Sequence, residues 1–207
     1  MKKILTLVAL AALTATASAS TNLLQDGSFE SQTVSSGNWA LTSASPWVVT
    51  AAGTSTTVGL EVRDNYYGSA ENGSNFIELD GNENDQISQS FATVAGTTYT
   101  VSFWYEDRSG VASSSEGWAA SVVGATTLAQ AMVSGNSSSV WKEETITFTA
   151  DSAVTTFSIW ATGKSDSFGT SFDNFSVTAA VPEPTTLALF AAGLGMLGMA
   201  ARRRRQQ

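Results

Sequence analysis

Arg63-Asp64-Asn65-Tyr66-Tyr67-Gly68 places a guanidinium, a carboxylate, an amide and two phenol rings in succession ahead of a glycine. That set suits a sugar, because aromatic faces cover the apolar side of a pyranose while charged and amide groups bond its hydroxyls. Trp39, Trp47 and Trp118 stand near expected loops or strand ends and extend the same chemistry, whereas Trp104, Trp141 and Trp160 fall inside expected strands. The expected carbohydrate site is Arg63, Asp64, Asn65, Tyr66, Tyr67, Trp39 and Trp118. For each ring taken singly, packing in a core or on a sheet face is the competing role.

Carboxylate pairs raise a second chemistry, glycoside hydrolysis, in which two carboxyls face each other across a substrate. Glu106-Asp107 and Glu143-Glu144 are adjacent, so on a strand they point to opposite faces. Glu78 and Asp80 would share a face, but they open the oxygen-rich run 78–85, which lacks the fixed glycine and distal glutamate of an EF-hand and reads as a solvated hairpin loop. Catalysis is not expected.

The chain has no cysteine and no histidine. Disulfides, thiol nucleophiles, imidazole or thiolate zinc sites and histidine-dependent triads are therefore excluded. Of its ten Lys and Arg residues, six lie at Lys2, Lys3 and 202–205, leaving Arg63, Arg108, Lys142 and Lys164 against 17 acidic residues in the body. A body near −13 with scattered cations cannot grip a phosphate backbone, so nucleic acid is not an expected partner. Its acidity serves solubility or divalent-cation binding.

Short strands must position these groups. Tyr99, Val101, Phe103 and Tyr105 alternate with polar residues, as do Ile146 with Phe148 and Phe157 with Ile159. This period of two marks strands with one face in a core. Residues 47–50, 58–63, 75–79, 86–91, 118–123 and 175–177 add further candidates, roughly ten in all by the same pattern, which predicts an all-β jelly-roll sandwich. Residues 128–133 are the one helix-like stretch of the body, too short to stand alone.

The ends read differently. Lys2 and Lys3, the apolar run 4–13 and small residues closing at Ala17 and Ala19 form a secretory signal over residues 1–19, to be cleaved after one of those alanines. The sandwich then occupies 20–180, because Pro182-Glu183-Pro184 cannot continue a strand ladder. Residues 185–201 follow as an uncharged transmembrane helix, about 25 Å long against a hydrocarbon core of about 30 Å, and Arg202, Arg203, Arg204 and Arg205 form its cytoplasmic stop.

Pro182-Glu183-Pro184, an apolar helix and an Arg cluster in this order resemble the PEP-CTERM sorting signal of Gram-negative bacteria. That resemblance implies export by the Sec machinery, transient holding in the inner membrane, processing by an exosortase and placement at the cell surface or in an exopolysaccharide or biofilm matrix. The stretch 22–30, Asn22-Leu23-Leu24-Gln25-Asp26-Gly27-Ser28-Phe29-Glu30, resembles the opening of galactose-binding-like jelly rolls, including carbohydrate-binding modules and DUF642-like domains. Ser171-Phe172-Asp173-Asn174-Phe175-Ser176-Val177 resembles their closing strand. In such folds acidic residues of the first and last strands share a structural calcium, which implies Glu30 and Asp173 as ligands, with backbone oxygens near Asp26 and Gly27. The expected function is thus a non-catalytic, polysaccharide-binding surface or matrix protein. A structural or adhesive protein without a sugar site and a glycan-active hydrolase are the alternatives.

Overall fold

Alternation of apolar and polar side chains becomes eleven antiparallel strands in the computed structural model, which describes residues 21–52, 59–136, 138–180 and 193. In chain order these are β1 (Trp39–Thr42), β2 (Val48–Ala51), β3 (Leu60–Asp64), β4 (Asn75–Glu78), β5 (Asp85–Ala92) and β6 (Thr98–Glu106). Then come β7 (Gly117–Val123), β8 (Thr127–Ser134), β9 (Lys142–Thr149), β10 (Val154–Ala161) and β11 (Ser171–Ala179). They form a six-stranded sheet in the order β1-β3-β4-β11-β6-β9 and a five-stranded sheet in the order β2-β5-β10-β7-β8.

The two sheets enclose one apolar layer. Tyr99, Val101 and Phe103 of β6 face inward toward Ile87 and Phe91 of β5 and Phe157 and Ile159 of β10. Aromatic rings dominate the centre: Phe103 stacks on Phe175 at 5.4 Å, and Trp118 meets Phe103 edge-on at 5.0 Å. Edge and offset contacts of this kind add to the burial of large rings.

The segment before β1 is laced to the last strand. Leu23 N–H donates to the Val177 carbonyl at 2.9 Å, and Phe175 N–H donates to the Gly27 carbonyl at 2.9 Å. Phe29 and Trp47 then stack beside Phe175. Gly27 is required by closeness, since a Cβ there would lie 2.1 Å from the Phe175 carbonyl oxygen. Gly27→Ala should therefore lower unfolding free energy by about 2–3 kcal/mol, seen as a reduced urea midpoint at unchanged slope.

Residues 128–133, expected to be helix-like, belong instead to β8, an edge strand paired with β7 from Gly117↔Ser134 to Val123↔Thr127. Backbone bonds to β7 and the inward seating of Ala129 and Ala131 outweigh the helix preference of Leu, Ala and Met over so few residues. The strand β1 was not among those expected. Between Asp173 and Ser176 the β11–β6 register shifts, and Asn174 takes a left-handed φ of 53° that its short amide tolerates.

The compact unit Thr21–Ala180 accounts for all of these strands. The expected signal segment 1–19 and sorting tail 181–207 lie outside the described residues, Gly193 excepted. Among the described residues no helix is long and apolar enough to cross a membrane.

Candidate functional site

Pleating turns one row of the six-stranded sheet outward as Glu61, Glu78, Ser171 and Glu106, joined by the pairs Glu61↔Glu78, Ser171↔Glu78 and Ser171↔Glu106. Arg63 lies one step along β3 on the same face. Its Nε donates to Glu61 Oε1 at 2.6 Å, and its Nη2 donates to Glu78 Oε2. A second cation, Arg108, brings Nη1 to 3.7 Å from Glu78 Oε2. Two carboxylates thus share two guanidinium groups.

Most of this row is covered. Arg63 is 1% exposed and Glu78 fully buried, with Glu78 Oε1 lacking any hydrogen-bond partner. Burial pushes the Glu78 carboxyl up to about 8 despite the pull of Arg63, and pushes Glu106 up to about 7. Near neutral pH, carboxyls of that kind can donate as well as accept hydrogen bonds.

Two loops bring aromatic rings beside this row. Tyr67 adopts φ 60°, a conformation a bulky residue rarely takes, and is 63% exposed. Its ring sits 4.3 Å from the Arg108 guanidinium carbon, and Phe168, 45% exposed, lies 5.0 Å from the same carbon. Tyr66 packs on Tyr67 with centroids 4.1 Å apart. Asn65 Oδ1 accepts the Ala70 amide, and Trp141 Nε1 donates to the Ser69 carbonyl, so the 65–70 loop is pinned at both ends. Strained backbone held by such bonds is common where a side chain must be presented to a ligand.

Arg108 is itself anchored. Its amide donates to Glu116 Oε1 at 3.0 Å, and the Thr170 hydroxyl lies 3.0 Å from Glu116 Oε2 and 3.2 Å from Asp107 Oδ1. Burial also pushes the Glu116 carboxyl up to about 7. The arrangement can hold a polar, hydroxyl-rich ligand against two aromatic rings and a cation, beside buried carboxyls.

Of the residues expected to bind sugar, Tyr66 and Tyr67 stand together beside this row, and the buried Arg63 has its guanidinium carbon 5.9 Å from the Tyr67 ring. Trp39, on β1 opposite Arg63, is exposed on the same sheet face. Asp64 is half-buried, its backbone bonded to Gly37 and Asn38, and Asn65 shapes the loop. Trp118 is 0% exposed in the core, so it presents no surface to a ligand. Arg108 and Phe168 were not singled out from sequence. Arg108 was visible as one of four body cations, and Phe168 as an aromatic residue between serine and glycine in a polar loop.

The residues expected around calcium are placed as follows. Glu30 accepts the Ser74 and Asn75 amides, and Asp173 accepts those of Asn72 and Asn174. Both carboxylates therefore grip the segment 72–75. The Asp26 carbonyl receives Phe29 N–H and Trp47 Nε1–H, and its carboxylate receives Ser31 and Gln32. The Gly27 carbonyl receives Phe175 N–H. Among the described residues no group of three or more acidic side chains is disposed to hold a metal. The run 78–85, expected as a solvated loop, instead buries Asp80 and Asp85.

Comparison with known proteins matches residues 22–178 to DUF642, described as a protein of unknown function, and residues 180–205 to the PEP-CTERM protein-sorting motif. No curated protein matches the chain. Among solved structures, the carbohydrate-binding module TmCBM61, determined in complex with β-1,4-galactotriose, aligns over 77% of this chain and 99% of its own at 22% identity and a TM-score of 0.55. The arabinose-bound α-L-arabinofuranosidase MgGH51 aligns over 78% of this chain and 27% of its own at 15% identity and a TM-score of 0.51. Both likenesses concern the fold, a jelly-roll β-sandwich of the kind found in carbohydrate-binding modules. The chain belongs to the DUF642 family and carries a PEP-CTERM protein-sorting motif behind that domain.

Proposed function

We propose that this protein is exported, processed by an exosortase at its sorting motif, and displayed at the cell surface or in the extracellular matrix as a non-catalytic carbohydrate binder. The observation that carries the binding reading is the pair of exposed rings, Tyr67 and Phe168, 4.3 and 5.0 Å from the Arg108 guanidinium carbon beside the buried carboxyl row. Rings of this kind cover the apolar face of a sugar, and Arg108 and Glu106 supply donors and acceptors for hydroxyls. The trisaccharide held by TmCBM61 supports a polysaccharide as the ligand class.

Affinity electrophoresis of the purified full-length protein through gels containing galactan, xylan or glucan tests this reading. Retardation by at least one polysaccharide is expected, with Tyr67→Ala weakening it about tenfold or more. Retardation by none overturns the binding reading and leaves a structural or adhesive matrix protein. For sorting, mass spectrometry of the mature surface protein should show loss of Arg202, Arg203, Arg204 and Arg205 with the apolar segment before them. Their recovery on surface-displayed protein contradicts exosortase processing.

We also propose that Glu30 and Asp173 hold a structural calcium ion. Both carboxylates converge on the same short segment, and burial pushes the Asp173 carboxyl up to about 7, as expected of an acidic group short of cationic neighbours. Such an ion would tie the first segment to the last strand. Backbone oxygens near Asp26 and Gly27 would complete the shell, since the Gly27 carbonyl accepts one hydrogen bond and keeps a second lone pair.

A further inference from the structure

The run 80–85 holds an arrangement that sugar binding does not use. Asp85 N–H donates to the Leu79 carbonyl at 2.7 Å and closes a five-residue loop, which sets Asp80 and Asn84 opposite each other at its neck. Each of the three polar residues has one end fixed. Asp80 Oδ2 accepts the Asp166 amide at 2.9 Å. Asn84 Nδ2 donates to the Gly163 carbonyl at 2.9 Å, which settles the orientation of its amide. The Gly59 amide supports the Asp85 carboxylate.

Among the described residues the other ends lack a well-formed hydrogen bond, although the Ser167 and Phe168 amides also act on the Asp80 carboxylate. Asp80 Oδ1, Asn84 Oδ1 and Asp85 Oδ1 are all buried without a hydrogen-bond partner, and Asp80 and Asp85 are 0% and 1% exposed. The ion pairs found among the described residues all join Arg63 or Arg108 to Glu61 or Glu78, so no cationic side chain compensates these two carboxylates. Buried polar atoms are nearly always satisfied, and three orphaned oxygens in one short loop suit a ligand that supplies positive charge.

The donor set specifies which. All three atoms are hard oxygens, two carboxylate and one amide, and the chain has no histidine or cysteine to favour zinc or copper. Calcium accepts carboxylate and amide oxygens together with backbone carbonyls in a flexible shell, whereas magnesium demands a near-ideal octahedron and retains its waters. We propose that the loop 80–85 is a calcium site, with Asp80 Oδ1, Asn84 Oδ1 and Asp85 Oδ1 as its side-chain ligands. The site is independent of the one proposed at Glu30 and Asp173. It lies against the segment 163–169: Asn84 N–H donates to Ser165 Oγ, Ser167 Oγ donates to the Asn82 carbonyl, and Asp80 holds the Asp166 amide. An ion here would stiffen the loop that carries Phe168.

Calorimetric titration of the chelator-treated full-length protein with calcium chloride, and with magnesium chloride as control, tests the site. The wild type should bind calcium and melt about 5–10 °C higher at a hundredfold excess over Kd. Asp80→Asn and Asp85→Asn should each weaken this binding at least tenfold, while Glu30→Gln leaves it in place. Asn84→Ala removes a ligand without changing charge and should weaken binding several-fold even if an aspartate variant folds poorly. In chelator, Asp85→Asn should melt at or above the wild type, because it removes repulsion that calcium otherwise neutralises. Absence of calcium binding by the wild type overturns the proposal, as does a wild-type response in Asn84→Ala and Asp85→Asn alike.

Discussion

Raising the pH from 5 to 8 in chelator should destabilise this protein by several kcal/mol, opposite to the behaviour of a protein held by ionised surface carboxylates. Glu78, Glu106 and Glu116 have carboxyls raised by burial to about 8, 7 and 7. A carboxyl whose pKa is higher folded than unfolded binds more protons in the native state, so its contribution is present at low pH and lost as pH climbs. The window runs from the ordinary glutamate value near 4.5 to about 8. Every tenfold gain in proton affinity on folding is worth about 1.4 kcal/mol, and relaxation of the site reduces the sum. Thermal melts across this range should show a melting temperature falling steadily with pH; one that rises through the same window contradicts the assignment.

Arg63→Met should be among the most damaging single substitutions in the domain. Arg63 is buried and bonds both Glu61 and Glu78, so its removal leaves two carboxylates enclosed beside each other with only Arg108 near Glu78. Breaking one side of a buried ion pair costs about 3–5 kcal/mol, whereas replacing both sides by neutral groups costs far less. Arg63→Met with Glu78→Gln should therefore recover a large part of the loss, and Arg63→Met alone should be milder at pH 5 than at pH 8. Urea midpoints of the three variants measure both effects. Equal loss in the single and double variants would mean that Arg63 acts through packing alone.

The strands were legible where half-buried faces alternate, as in Tyr99, Val101, Phe103 and Tyr105 of β6. They were illegible at two of the four sheet edges, β1 and β8. The four residues of β1 are too few to show a period, and β8 is written in helix formers that act as a strand only because β7 pairs with them. Tyr66 and Tyr67 could be read as loop aromatics beside a glycine. Arg108 and Phe168 reach the same patch from the end of β6 and from the segment before β11, a convergence no local pattern encodes. Trp118 misled because a tryptophan near the start of a strand has the same local signature whether it faces solvent or Phe103. The burial of Asp80 and Asp85 was hidden for a related reason: the segment 163–169 that covers them lies some eighty residues away.

Chemical-shift mapping of backbone amides during titration with galactan, xylan and glucan oligosaccharides tests the carbohydrate reading most directly. For at least one of them, the largest perturbations should fall on Tyr67, Arg108, Phe168 and Glu106, and Arg108→Ala should abolish them while leaving the rest of the spectrum folded. No perturbation with any of the three, or perturbations confined to the five-stranded sheet, would contradict a binding site on this face.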